Sequence, residues 1–289
     1  MLNEYLSELD FNGIEYQRDV SLSSYCTYGT GGKASVMVFP LNAEQLKKCA
    51  FEKSVVIGYG SNVLFSDAGF KGVVINTTKM KDISIKGTAV TAESGVSLFD
   101  LRESCYLNCL GGLEFTEGIP ASVGGAVAMN VGCFSKSISE LVSYVVTNNR
   151  IYNNVECEFG YRTSIFLSKP NEIIIKVCFL LKPSEMDIIE GKREKFKKLR
   201  KSSQPHGRSC GSVFLNDGYF AGKLIDLANL KGYKIGGAKI SEKHANFIIN
   251  EGGSSTDVYK LISHVKKVVY ETHGIKLKEE LRYIGEFND

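Results

Sequence analysis

The chain has 289 residues, an apolar content of 43% and a net charge of only +3, which is ordinary for a globular protein with two or three cores. These values exclude a disordered chain and a small disulfide-stapled scaffold. The one basic run, residues 192–201, lacks a recognition motif, so we interpret it as a solvated helix face, with attraction of an anionic substrate left open.

Cysteine use and the N-terminal segment bear on location and metals. The eight cysteines form no Cys-x-x-Cys pair and no Cys/His spacing typical of zinc sites, so we expect reduced thiols and no metal. Glu4 stands where a signal peptide carries Lys or Arg, and no apolar run reaches bilayer length. We expect a cytoplasmic protein without membrane insertion, nucleic-acid binding or an obligatory protein partner.

The first part of the chain predicts a small α/β unit. Its elements are a strand over residues 34–39, a helix over 44–50 capped by Asn42, and a strand over 54–57. This second strand leads into a glycine-rich stretch, residues 58–64 (GYGSNVL). Because α/β folds commonly bind ligands at the C-terminal ends of strands, the position favours a functional role.

The middle part predicts short strands around one helix. The strands cover residues 73–76, 90–93, 144–147 and 173–181. The helix covers residues 97–106, begins with the capping-box spacing of Ser97 and Asp100, and places Leu98, Leu101 and Cys105 on one face. This part is α+β.

The last part begins with a charged connecting helix over residues 188–201, followed by a loop over 204–211. Two further helices cover residues 221–230 and 255–272, and Gly274 caps the second of them, whose apolar stripe belongs to the core. The predicted strands are residues 236–240, 246–250 and 281–284.

Two glycine-rich stretches about sixty residues apart, 58–64 and 118–126 (GIPASVGGA), carry the clearest chemical signal. Small residues leave backbone N–H groups open to an anionic ligand such as a pyrophosphate. Neither is the G-x-G-x-x-G of the Rossmann fold, and each alone is compatible with an ordinary turn. Together, with side-chain donors from Ser61, Asn62 and Ser122, they favour a flavin dinucleotide.

Eight motifs in order resemble those of the UDP-N-acetylenolpyruvoylglucosamine reductases. They occupy residues 58–64, 118–130, 159–166, 211–214, 221–225, 231–232, 241–247 and 280–285, so the resemblance covers nearly the whole chain. It implies noncovalent FAD and NADPH-driven reduction of an enolpyruvyl UDP-sugar in cell-wall synthesis. The implied fold is α+β: a two-part FAD-binding fold of the vanillyl-alcohol-oxidase type (1–75 and 76–187) and a substrate-binding domain (188–289). The length resembles the compact second type of the family.

The resemblance also implies roles for individual residues. Arg162 resembles the arginine that grips the substrate carboxylate, Ser212 the proton donor, and Glu280, rather than its neighbour Glu279, the carboxylate that polarises the substrate. For the UDP-sugar, the matching positions are Tyr161, Asn216, Lys231 and His244, with Arg200 as a nearby cation. For FAD they are Gly58, Tyr59, Gly60, Ser61, Asn62, Val63, Gly118, Ile119, Ala121, Ser122, Gly124, Gly125, Ala126 and Gly132.

Three residues depart from the family pattern at the expected diphosphate site. Ser203 and Leu215 replace the usual lysines, and Asp217 replaces the usual proline, which predicts weaker binding of UDP unless Arg200, Lys201 or Arg208 compensates. Two alternatives therefore stay open: an FAD oxidoreductase of the same fold with another substrate, or a non-catalytic flavin- or UDP-sugar-binding relative. Retention of the three catalytic positions argues against the first.

Overall fold

The computed structural model describes residues 2–287, which divide into two compact units. Of the described residues, the first unit contains 2–17, 36–59 and 73–200, and the second contains 18–35, 60–72 and 201–287. Each unit is therefore assembled from segments that are distant in sequence.

The described residues contain both helices and strands throughout. The α-helices are Leu2–Phe11 (α1), Ala43–Lys48 (α2), Leu98–Leu107 (α3), Val123–Ala128 (α4), Ile165–Ser168 (α5), Met186–Ser203 (α6), Ala221–Leu227 (α7) and Ser255–His273 (α8). The strands are Glu15–Ser21 (β1), Lys33–Phe39 (β2), Ser54–Ile57 (β3), Val63–Phe65 (β4), Phe70–Asn76 (β5), Ile83–Lys86 (β6), Ala89–Glu93 (β7), Leu110–Gly111 (β8), Gly132–Cys133 (β9), Lys136–Ser137 (β10), Val142–Thr147 (β11), Ile151–Asn153 (β12), Ile174–Leu180 (β13), Lys182–Pro183 (β14), Lys234–Ile235 (β15), Ala238–Ile240 (β16), Ile248–Asn250 (β17) and Arg282–Ile284 (β18).

The larger sheet of the first unit is antiparallel, with the strand order β12-β11-β13-β7-β6. Its central strand β13 pairs Val177 with Ala92 of β7 and with Val145 of β11, and all three side chains are buried. Helices α3 and α4 contribute Leu98, Val123 and other apolar residues to the same core. This core lies directly beneath the second glycine-rich stretch because Val123 belongs to that stretch.

A second core of the first unit lies around β3 and β5, which pair in parallel with Ser54 opposite Val73. The four-stranded order is β1-β2-β5-β3. Leu9 of α1 and Leu46 of α2 are buried in this core. Strand β3 ends at Ile57, so the first glycine-rich stretch begins immediately after this strand.

The second unit has its own apolar core, formed by α7, α8 and two small sheets. One sheet is antiparallel in the order β15-β16-β17, and the other pairs β18 in parallel with β4, with Arg282 opposite Val63. A capping box of Ser254 and Asp257 begins α8, and Gly274, at φ +68°, ends it. The β4–β18 pair brings the end of the first glycine-rich stretch beside the C-terminal strand.

Most of the predicted elements are confirmed, with several bounds displaced by one to three residues, and three of the differences have a clear structural reason. The stretch 236–240 is a hairpin in which Gly236 has φ +52°, so only residues 234–235 and 238–240 are strands. Helix α7 ends at Leu227 because Asn229 adopts a left-handed conformation. Strand β17 begins at Ile248 because the Asn246 side chain bonds both backbone polar groups of Phe214, at 2.9 and 2.8 Å.

Two further observations concern the described chain as a whole. None of the helices within residues 2–287 is both long and apolar enough to cross a membrane. Across the same residues, no cluster of three or more His, Cys, Asp or Glu side chains is arranged to hold a metal ion. All eight cysteines are unpaired thiols.

Candidate functional site

The second glycine-rich stretch begins with a turn and continues as the first residues of helix α4. Gly118 has φ +74°, and Ser122 then caps the helix by accepting a hydrogen bond from the N–H of Gly125 at 3.2 Å. The N–H groups of Val123 and Gly124 donate to the carbonyls of Val96 and Ser94. The stretch is thereby fixed to the segment that precedes α3. Its last four residues, 123–126, are helical and not part of a turn.

The two glycine-rich stretches meet at Gly58, within the first unit. A Cβ on Gly58 would lie 2.0 Å from Ser122 Oγ, and a Cβ on Gly124 would lie 2.8 Å from Ser94 Cβ. Neither position has space for a larger residue. Glycine is therefore required here by the close approach of the Ser122 and Ser94 side chains, which supports a cradle shaped for a ligand rather than an unconstrained surface turn.

The remainder of the first stretch belongs to the second unit. Gly60 has φ +63°, and a Cβ there would lie 2.0 Å from the carbonyl oxygen of Tyr25. The carbonyl of Gly60 accepts from Thr27 N–H at 3.1 Å. Asn62 donates from Nδ2 to the carbonyl of Glu280 at 3.1 Å, and its own carbonyl accepts from Arg282 N–H at 3.0 Å.

Backbone donors of both stretches are compatible with an anionic ligand such as the pyrophosphate of FAD. Within residues 2–287, the N–H groups of Tyr59, Gly60, Ser61, Gly118 and Ser122 donate to no protein acceptor. Successive unpaired N–H groups next to glycine form the anion-binding concavity found in phosphate sites. The residues present therefore fit the cofactor that the sequence predicts.

Arg162 occupies a constrained turn in the first unit. Its backbone is left-handed, with φ +55°, and its Nη2 donates to the carbonyl of Gly132 at 2.7 Å. Two neighbouring bonds hold the same turn: Asn130 Nδ2 to the carbonyl of Gly160 at 2.8 Å, and Ser164 Oγ to the carbonyl of Ala128 at 2.6 Å. The turn is thus tied to the residues that follow α4.

The position of Tyr161 follows from the same turn. The Arg162 guanidinium lies 5.2 Å from the centroid of the Tyr161 ring, a distance at which a cation and an aromatic face attract. The Tyr161 side chain is 54% exposed, so it is available to a ligand in the first unit.

Ser212 and Glu280 lie close together in the second unit. Glu280 N–H donates to the carbonyl of Val213 at 2.7 Å, which places the residue after Ser212 directly against Glu280. Burial raises the pKa of the neighbouring Cys210 thiol to about 12, with a further contribution from the charge of Glu280. Because Asn62 also bonds the Glu280 carbonyl, three of the predicted site residues converge here.

Glu279 points away from this cluster and has partners of its own. Its Oε1 accepts from Lys266 Nζ at 2.8 Å and from Tyr283 Oη at 3.5 Å. Successive residues of an extended segment face opposite sides, so this pairing is compatible with the sequence-based choice of Glu280.

The residues predicted to contact the UDP-sugar are distributed over both units. In the second unit, burial lowers the pKa of His244 below its usual 6.5, and the charge of Lys231 lowers it further. Lys231 forms an ion pair with Asp226 at 2.6 Å. Asn216 Oδ1 accepts from Ala221 N–H at 3.0 Å and thereby supports the start of α7.

Arg200 belongs to the first unit and contacts the second glycine-rich stretch. Its Nε donates to the carbonyl of Glu117 at 2.7 Å, and its Nη2 donates to Cys133 Sγ at 3.3 Å. These bonds tie Arg200 to both sides of the second glycine-rich stretch, at Glu117 and at Cys133.

The three departures from the family pattern have ordinary structural settings. Ser203 is the last residue of α6, and Leu215 N–H donates to the carbonyl of Lys278 at 2.9 Å. Asp217 forms an ion pair with Lys278 at 2.7 Å. The added carboxylate therefore has a cation beside it.

Some of the residues that shape the site were not predicted from the sequence. Asn130 and Ser164, which fix the Arg162 turn, lie inside two of the eight motifs, so the motifs themselves carried the signal. The sequence contained no pattern that pointed to Glu117 and Arg193, because their ion pair joins residues 76 positions apart. Arg162 lies in the first unit and Ser212 and Glu280 in the second, so their joint action stays a prediction.

Comparison with known proteins identifies two family models within the chain. Residues 35–153 match an FAD binding domain, and residues 203–284 match the C-terminal domain of UDP-N-acetylenolpyruvoylglucosamine reductase. A reductase of that name from Lactiplantibacillus plantarum is 40% identical over 290 aligned residues, covering 96% of both chains. One from Clostridium perfringens is 39% identical and covers 99% of this chain and 96% of its own. The crystal structure of the enzyme from Thermus caldophilus superposes with a TM-score of 0.83 at 32% identity, over 94% of this chain and 99% of that one.

Proposed function

Because the chain belongs to the family of UDP-N-acetylenolpyruvoylglucosamine reductases, we propose which of its residues carry out that reaction. The protein is an NADPH-dependent flavoprotein that reduces UDP-N-acetylenolpyruvoylglucosamine to UDP-N-acetylmuramate in peptidoglycan precursor synthesis. Its α+β fold contains the two-part FAD-binding fold of the vanillyl-alcohol-oxidase type. Family membership favours this activity over the two alternatives that the sequence left open.

The two glycine-rich stretches and Gly132 hold FAD in our proposal. When bound, FAD supplies hydride transfer from NADPH to the enolpyruvyl group. The unpaired N–H groups of Tyr59, Gly118 and Ser122, all in the first unit, would hold the pyrophosphate of the cofactor. The other predicted cofactor residues, apart from Gly132, belong to the same two stretches.

Arg162 binds the carboxylate of the substrate. Hydride addition to the terminal carbon of the enolpyruvyl group drives electron density toward the carboxylate, and a guanidinium stabilises that charge through two parallel N–H donors. The bond from Nη2 to the Gly132 carbonyl fixes the guanidinium plane before substrate arrives, so less orientation entropy is lost on binding.

Ser212 donates the proton that completes the reduction, and Glu280 polarises the substrate carboxyl group. The observation that carries this assignment is the 2.7 Å bond from Glu280 N–H to the Val213 carbonyl, which joins two motifs 67 residues apart. A serine hydroxyl is a weak acid, so it requires a close polar partner and a substrate carbanion beside it to act.

Lys231, Asn216, His244, Tyr161 and Arg200 contact the UDP-sugar in our proposal. Lys231 exchanges its exposed partner Asp226 for a phosphate, since an exposed ion pair contributes only about 0–1 kcal/mol. His244 stays neutral near pH 7 because burial lowers its pKa, so it serves as a hydrogen-bonding group and not as a cation.

The cell location and the domain bounds are also proposals. Eight free thiols and a UDP-sugar substrate support a cytoplasmic enzyme. We keep the division into residues 1–75, 76–187 and 188–289 as a proposal, supported by the fact that most members of each of the three apolar cores lie within one of these ranges; Tyr28 and Leu64, which belong to the third core, lie outside its range. The absence of nucleic-acid binding and of an obligatory protein partner stays a prediction.

An anaerobic experiment separates the two half-reactions and so tests the residue roles. NADPH reduces the purified protein, the enolpyruvyl UDP-sugar is then added, and the visible absorbance of the flavin is followed in both steps. We expect Ser212→Ala to be reduced by NADPH at nearly the normal rate.

The second step should be slowed about 10²- to 10⁴-fold in that variant, the usual contribution of a general acid. Ser263→Ala, at an exposed serine of α8 in the same unit, is the matched control and should behave as the unmodified protein. Equal second-step rates in Ser212→Ala and Ser263→Ala would remove Ser212 from the role of proton donor.

A further inference from the structure

A buried ion cluster lies at the residue before the second glycine-rich stretch. It consists of Arg102 and Glu103 of α3, Arg193 of α6, and Glu117, and we call it the Glu117 cluster. One carboxylate oxygen of Glu117, Oε2, lies 3.1 Å from Arg102 Nε and 3.2 Å from Arg193 Nε. Arg193 Nη2 also bonds Glu103 Oε1, at 2.5 Å.

The cluster is enclosed by the first unit. The side chain of Arg102 is 4% exposed, and those of Arg193 and Glu117 are 15% and 16% exposed. Arg102 Nη1 donates to the carbonyls of Leu98 and Thr116, at 3.1 and 3.2 Å. Burial lowers the pKa of Arg102, and the charge of Glu117 opposes that change, so the carboxylate keeps the buried cation in place.

The main chain of Glu117 is held as firmly as its side chain. Its carbonyl accepts from Arg200 Nε at 2.7 Å, and Arg200 Cδ lies 2.9 Å from where a Cβ on Gly118 would be. Three arginines from two helices thus fix one residue on two sides. That residue is followed immediately by the left-handed turn at Gly118.

We propose that Glu117 is a positioning residue for FAD: through Arg102 and Arg193 it sets the position of the turn at Gly118 from which the second glycine-rich stretch approaches the cofactor. Helices α3 and α6 also share apolar contacts through the core that contains Leu101 and Phe196. A buried ion cluster adds little to such packing, because the cost of desolvation offsets the attraction. In our proposal, the carboxylate at position 117 fixes the direction in which the main chain enters the turn at Gly118.

This inference rests on the proposed assignment of residues 118–126 to FAD, and its test separates the two. The apoprotein is titrated with FAD, the quenching of flavin fluorescence gives Kd, and thermal unfolding of the apoprotein reports stability. We expect Glu117→Gln to weaken FAD binding about 5- to 50-fold, the range of a lost preorganised contact with a charged group. Glu194→Gln removes a half-exposed carboxylate of α6 that is paired with Lys197 outside the cluster, and should keep Kd within about twofold.

One further variant, Gly125→Leu, shows which of the two statements fails. Gly125→Leu places a side chain on the exposed face of the stretch, in α4, where only Ser122 Oγ lies nearby, so it should block FAD without unfolding the protein. If Gly125→Leu leaves Kd unchanged, the assignment of the stretch to FAD is wrong. If Gly125→Leu weakens binding while Glu117→Gln matches Glu194→Gln, the positioning role alone is wrong.

A double-mutant cycle tests whether Glu117 acts through Arg193. Arg193→Met keeps the length of the aliphatic stem and removes the charge, so it should weaken FAD binding in the same direction as Glu117→Gln. The double variant should bind FAD no more weakly than the weaker single variant, because both changes remove the same connection. Multiplicative effects on Kd, or a loss of affinity that follows the apoprotein melting temperature across the whole set, would overturn the proposal.

Discussion

Replacing Gly58 by alanine tests how closely the two glycine-rich stretches meet. The new Cβ would lie 2.0 Å from Ser122 Oγ and 2.7 Å from Ser122 Cβ. Rotation of the serine about χ1 moves Oγ but leaves Cβ in place, and it also breaks the cap that Oγ provides to Gly125. Once Oγ has rotated, the backbone must still separate by about 0.7 Å for the two Cβ atoms, at 2.7 Å, to reach the ordinary contact distance of 3.4 Å.

The expected loss follows from the size of that displacement. Inserting a methyl group into a fully packed site costs about 1–3 kcal/mol. When this cost is borne by the conformation that binds FAD, the Kd for FAD rises about 5- to 150-fold, since about 1.4 kcal/mol corresponds to a factor of ten. The visible absorption of the remaining bound flavin should also shift, because the cofactor occupies a displaced cradle.

Fluorescence titration of the apoprotein with FAD measures the effect. The control is Gly191→Ala, a helical glycine of α6 with no atom within 4 Å of the added Cβ, which should leave Kd unchanged. Adding Ser122→Gly to Gly58→Ala removes Oγ and Cβ and leaves Ser122 Cα at 3.9 Å, so part of the affinity should return. Equal Kd values for Gly58→Ala and Gly191→Ala would refute the close approach as the reason for glycine.

Three smaller predictions concern the second unit. Ser254→Ala should lower the free energy of unfolding in urea by about 1 kcal/mol and no more, because Asp67 still accepts from the N–H groups of Ser255 and Thr256 at the same helix end. Gly274→Ala should cost about 1 kcal/mol in the same assay, since φ is +68° and no neighbouring atom compensates. Because the pKa of His244 is depressed in the folded state, its contribution to stability is present above pH 6.5 and lost as the pH falls below it. His244→Gln should therefore flatten the dependence of the free energy of unfolding on pH in this range. An unchanged slope would contradict this prediction.

Local chemistry made much of the fold predictable. Asn42 and Ser97 cap their helices as their side chains require, accepting from the N–H groups of Gln45 and Asp100. Strand β3 has the predicted bounds, residues 54–57, because a run of β-branched residues is followed at once by glycine. These signals act over three or four residues, so a single sequence contains them.

Long-range pairing was not predictable in the same way. Helix α4 contains two glycines and has poor intrinsic helix propensity, and it forms because Ser122 caps it and because Val96 and Ser94 bind its first N–H groups. The contact between Glu280 and Val213 joins residues 67 positions apart, which no periodicity encodes. The motifs identified these residues by type, and only the fold shows that they are neighbours.

The backbone at Arg162 connects strain with the proposed role of its side chain. A non-glycine residue in the left-handed region costs of order 1 kcal/mol and persists only where its surroundings hold it. Here Asn130, Ser164 and the Gly132 carbonyl all hold the turn, at distances of 2.8, 2.6 and 2.7 Å. An extended backbone at this position would turn the side chain away from Gly132 and release that bond. The strain is therefore the cost of presenting one guanidinium in one fixed orientation, which is what recognition of a planar carboxylate requires.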